Sequence, residues 1–107
     1  MLTLRRKQRD IFRPRLAPAA QLYDAFVEAA SHRNKADGLE WIEFEIEQVH
    51  KEALRVAERY NFPAPSRDDV RKASDEASGH ADYGAKFAFY VLETMAQPPW
   101  PHEWLRH

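Results

Sequence analysis

The 107-residue chain has no cysteine. That excludes disulfides, thiolate metal sites, cysteine nucleophiles and thiol switching in one step. A chain free of thiols suits a reducing compartment, and a cytoplasmic location is the expectation. Glycine is scarce, with three residues. Small strand-rich folds need more turn residues than that, which tilts the reading towards helix. No apolar run approaches the roughly 18 residues of a membrane span, so no membrane association is expected. The basic start is followed by no apolar core or small-residue cleavage site, so no signal peptide is expected.

The composition that is present is globular: 44% hydrophobic and 31% charged. The length suits one domain large enough to bury a core. The net charge of −1 conceals an asymmetry. Residues 1–18 hold six basic side chains, Arg5, Arg6, Lys7, Arg9, Arg13 and Arg15, against Asp10, for +5. The rest holds ten basic and sixteen acidic side chains, for −6. A basic arm on an acidic body follows.

Helical periodicity organises the body. Pro14 and Pro18 keep residues 1–17 extended. A first helix is predicted from Pro18 to His32 on the spacing of Leu22, Phe26 and Ala29 or Ala30. Asn34 to Gly38 breaks it. Asp37 and Glu40 read as a capping box. Leu39, Ile42, Ile46, Val49, Ala53, Val56 and Tyr60 then form a heptad seam, predicting a helix of about 22 residues ended by Asn61-Phe62-Pro63. Residues 41–47 also alternate, with Ile42, Phe44 and Ile46 opposite Glu43, Glu45 and Glu47, as a strand would. The longer seam favours the helix over this rival. Ser66 and Asp69 form the next capping box. Val70, Ala73 and Ala77 give a short, mostly solvated third helix, with Gly79 at its end. The last helix is predicted from Asp82 to Ala96. Its apolar residues on nearly every side mark it as the centre of a bundle, packed on the helix at 38–61. The expected fold is all-α: a small three- to four-helix bundle. A basic N-terminal arm (1–17) and a Pro/Trp-rich tail (97–107) flank a helical domain (18–96).

Four constellations carry chemistry. Arg5, Arg6, Lys7, Arg9, Arg13 and Arg15 suit phosphates or an acidic partner, since guanidinium grips phosphate in two-pronged fashion. A helix-turn-helix over 66–96 is rejected, because Phe87 to Leu92 is too apolar for a wet groove. Glu43, Glu47 and His50 share one helix face with a Glu-x-x-His spacing, as in di-iron bundles. With a single copy of that motif, a solvated charged face is preferred and no metal or cofactor is expected. His80, Asp82 and Tyr83 sit between Gly79 and Gly84 at a helix junction. Asp82 reads as a cap, His80 as a proton shuttle if a pocket forms there. Trp41 and Phe44 fall off the seam, and Trp100 and Trp104 lie in the tail. They are candidate protein-interface residues unless arm or tail folds over them.

The sequence therefore leads to a non-enzymatic interaction or adaptor module that binds itself or a partner protein. A nucleic-acid-binding accessory protein using the arm comes second. A metal-dependent helical enzyme comes last.

Overall fold

The computed structural model describes residues 13–33 and 39–105, with side chains from 41 onward in the second stretch. Asp37 of the expected capping pair and the arm residues Arg5, Arg6, Lys7 and Arg9 lie outside those residues, as does the side chain of Glu40. The described residues form four α-helices: α1 (Ala17–Ala30), α2 (Leu39–Tyr60), α3 (Arg67–Ala77) and α4 (Tyr83–Met95). A 3-10 turn, His102–Trp104, follows in the tail. There is no strand among them, only a lone antiparallel bridge between Leu16 and Leu105. The bundle is all-α, as the periodicity requires, and no described helix is long and apolar enough to cross a membrane.

Each helix begins and ends for a local reason. Pro18 stands in the first turn of α1, where a missing amide hydrogen costs nothing. α1 stops at Ala30, two residues before the predicted end, and the Ser31 hydroxyl turns back to the Glu28 carbonyl. α2 closes with Asn61 in the left-handed region (φ 60°) and a bond from the Phe62 amide to the Ala57 carbonyl at 2.8 Å. That is the Schellman arrangement with Asn in place of Gly. Ser66 and Asp69 exchange side-chain and backbone bonds at 3.0 Å in each direction, the reciprocal box expected of them. Gly79 takes φ +89° just past α3. Asp82 does occupy the N-cap position of α4, but its side chain makes no cap bond. Its ψ of 44° is not the extended conformation that aims a side-chain oxygen at the first-turn amides.

The seam of α2 is the core. Ile46, Val49, Ala53 and Val56 are buried, with Ile42 and Tyr60 packed partly against them. Residues 41–47 are helical, and burial shows why the strand reading fails. A strand would hide Phe44 and expose Glu45; instead Phe44 is 37% exposed and Glu45 1%. The predicted packing of α2 on α4 needs correcting. α1 lies between them and meets both more extensively than they meet each other. Its buried Ala19, Ala20 and Ala29 allow close approach from both sides. Gly84 serves the same packing. A Cβ there would stand 2.5 Å from a ring carbon of Phe26. That ring cannot retreat, being in edge contact with Tyr83 and Phe87.

The described residues of both flanks pack onto the bundle. Trp100 packs edge-on against Phe89 and donates its indole N–H to the Ala96 carbonyl at 3.1 Å. Trp104 packs edge-on against Tyr60 and Phe62. Arg13 pairs with Asp24 at 2.8 Å.

Gly84→Ala is expected to lower stability by about 1–3 kcal/mol, the usual cost of an overpacked methyl, read as a reduced urea midpoint with an unchanged slope. An unaltered midpoint would show that Phe26 has room to move.

Candidate functional site

A pocket of about 320 Å³ opens where the end of α1, the start of α2, the end of α3 and the start of α4 converge. Its walls include Arg33, Trp41, Ser74, Asp75, Ser78 and Tyr83. The junction singled out between the two glycines thus contributes Tyr83 and Gly79 to the pocket. It does not contribute His80, which is exposed and makes no side-chain hydrogen bond among the described residues. Asp82 lines a separate shallow hollow with Lys86 and Phe89.

The pocket's geometry is set by Glu45. Its carboxylate is buried and accepts two bonds from Arg33, from Nε at 2.6 Å and from Nη2 at 2.9 Å. A buried carboxylate needs such a partner, because its desolvation is expensive. The bond to Glu45 is the main reason Arg33 holds its proton even above its ordinary range. The guanidinium lies over the Trp41 ring, 4.2 Å from its centre, a cation–π stack. Phe26 approaches the same group at 5.7 Å. Arg33 therefore fixes both walls, while its Nη1 has no hydrogen-bond partner among the described residues.

On the opposite wall, Tyr83 Oη and Ser74 Oγ are 2.6 Å apart. Burial, above all, holds the phenol above its ordinary value. The bond with Ser74 pulls the other way, Glu45 and Asp75 push it up, and Arg33 pulls it down. Tyr83 therefore stays protonated at neutral pH and is no base for the Ser74 hydroxyl. The groups here can offer hydrogen bonds and ring faces.

The remaining sequence candidates disperse. Glu43 is clamped by Arg71, with contacts of 2.5 and 2.7 Å, and by Arg67 at 3.2 Å. Glu47 faces Lys51 at 3.8 Å. The His50 Nε2–H donates to the Pro65 carbonyl at 3.2 Å. Among the described residues no three His, Asp or Glu side chains gather to hold a metal. Phe44 projects outward with His32 edge-on to it at 5.5 Å. Sequence reasoning passed over Arg33, Glu45 and Ser74. The available signal was a polar column every seven residues beside the seam: Glu45, Glu52 and Arg59. Its other two members share Gln21 of α1, at 2.7 and 3.1 Å.

No family model, curated protein or solved structure matches the chain.

Two measurements check this electrostatic frame. Arg33→Met strands the Glu45 carboxylate. It should cost about 2–3 kcal/mol, the low side for a broken buried pair because Arg33 is 40% exposed. Arg33→Met/Glu45→Leu should recover most of that loss; a double variant no better than the single one would mean the pair is not coupled. The Glu43 carboxyl is held below the usual carboxylate range chiefly by its bond to Arg71. A depressed folded value means the clamp stabilises above the unfolded value near 4.5 and fades as pH falls through the folded one. Urea midpoints of the wild type and Glu43→Gln should differ at neutral pH and converge in acid. A pH-independent difference would remove Glu43 from the acid response.

Proposed function

We propose that the protein is a non-enzymatic interaction module, binding a partner protein or a second copy of itself through the mouth of the Arg33–Trp41–Tyr83 pocket. The observation that carries this reading is the identity of the walls. Arg, Trp and Tyr are the side chains that dominate binding energy at protein interfaces, and here all three border one open pocket. Pre-ordering supports it as well. Arg33 is fixed by two bonds and a ring stack, so little side-chain freedom is left to lose on binding. The tail tryptophans are used differently: Trp100 and Trp104 are half-buried against their own chain. The arm reading, phosphate binding to nucleic acid, ranks second, since of the arm's cations Arg13 is already engaged by Asp24.

The test is a photo-crosslinking residue at exposed Ser78, beside the pocket, with exposed Glu58 near the far end of α2 as control. In the native host, Ser78 should yield a discrete protein adduct that Glu58 does not, reduced by Trp41→Ala. Nuclease-sensitive adducts would promote the second reading. So would steeply salt-dependent nucleic-acid binding lost on changing Arg5, Arg6, Lys7 and Arg9 to Gln. No discrete adduct from Ser78 would end the pocket-based one.

A further inference from the structure

We propose that this pocket receives a lysine or arginine side chain from the bound protein segment; the inference rests on the interaction reading above and names the chemistry of its partner. Three features of the walls point to an organic cation. First, the charges do not balance. Glu45 and Asp75 stand against Arg33 alone, and Glu45 already answers that guanidinium through two bonds. Asp75 is exposed and forms no salt bridge among the described residues. Arg71, one turn earlier, spends both terminal nitrogens on Glu43, and Lys72 faces Asp68 at 3.5 Å. The cations of α3 therefore spend their hydrogen bonds and ion pairs on Glu43 and Asp68, and Asp75, beside the pocket, feels Arg71 without pairing with it.

Second, α3 points its carbonyl end at the pocket. Its last turn carries Asp75 and Glu76 and no basic residue. Carbonyl ends of helices attract cations, and a carboxylate placed there works against the helix rather than for it. The arrangement serves the fold poorly and suits a visiting positive charge. The surroundings of Tyr83 agree: two carboxylates oppose one guanidinium in their effect on its hydroxyl.

Third, the shape accommodates a long aliphatic stem with a charged tip. Trp41 and Ile42 supply apolar wall, and Gly79 leaves the mouth open, since a Cβ there meets nothing within 4 Å. Ser74, Ser78 and Tyr83 supply hydroxyl acceptors around the tip. An ammonium or guanidinium group uses such acceptors together with Asp75, as its stem lies along the indole.

The experiment is a nitrogen-edited NMR titration of the full chain with four blocked tripeptides. Each has glycine on both sides of a central arginine, lysine, glutamate or leucine. The arginine and lysine peptides should shift the amides of Ser74, Ser78, Gly79 and Tyr83 and the indole of Trp41, saturably and less at high salt. Asp75→Asn should weaken that binding about two- to fivefold, the scale of an exposed ion pair, and Ser78→Ala serves as a second, uncharged variant of the rim. The proposal is overturned if the glutamate peptide shifts the same set more strongly. It is also overturned if Asp75→Asn binds the cationic peptides as well as the wild type does, or if no peptide gives a saturable shift. A Ser78 protein adduct that survives any of these outcomes would leave the interaction reading standing and remove only the cationic occupant.

Discussion

The bidentate pair of Arg33 and Glu45 is the constraint on which the pocket end of the structure depends. A carboxylate that is 1% exposed is tolerable only with a cation aligned on it. The cation comes from just beyond α1, and the acid from the second turn of α2. Their union fixes where one helix ends relative to where the next begins. Gln21 does the complementary work at the opposite end of the helix pair, bridging Glu52 and Arg59. The apolar seam supplies most of the burial, but apolar contact alone is non-directional. These polar contacts set the register at which the seam closes.

This division explains what could be read from the sequence. The seam was legible because its residues repeat at 3 and 4, and burial at Ile46, Val49, Ala53 and Val56 follows it. The Ser66–Asp69 box and the turn at Gly79 were legible because each is a local bond or a local dihedral. Glu45 was not. It lies one position off the seam, where an acid reads as part of a solvated face. Its partner sits 12 residues earlier, beyond the end of the preceding helix. Ser74 was hidden for a related reason: its hydroxyl is satisfied by Tyr83, nine residues later. Pair interactions between elements leave at most a faint period on one side, such as the column Glu45, Glu52 and Arg59, and nothing that names the partner. The misjudged partner of α4 has the same root. Its apolar bulk gave its central place, packed between α1 and α3, but the alanines of α1 decide that α1 and not α2 comes closest to it.

The aromatic ladder Tyr23, Phe26, Tyr83 and Phe87 ties the pocket wall to the interior. Tyr83 is at once the first residue of α4, a neighbour of Phe26 and the partner of Ser74. Gly84 beside it lets α1 come close enough for those contacts. The inner side of the wall is therefore held by the same ring contacts that pack the core.

Packing of this kind separates the pocket's residues by what they can reveal. Arg33, Glu45 and Tyr83 hold the fold as well as the cavity, so a loss of binding after changing them also reports a loss of structure. Asp75 and Ser78 are exposed, and their side chains form no hydrogen bond or ion pair among the described residues. On the proposed reading they face the occupant of the pocket. Asp75 stands at the carbonyl end of α3, where a carboxylate opposes the helix dipole, and the nearby Arg71 is bonded to Glu43 instead. The proposed recognition of a positive charge would use that placement. On that proposal the rim, and not the better-ordered Arg33–Glu45 pair behind it, is where the charge of the partner is met.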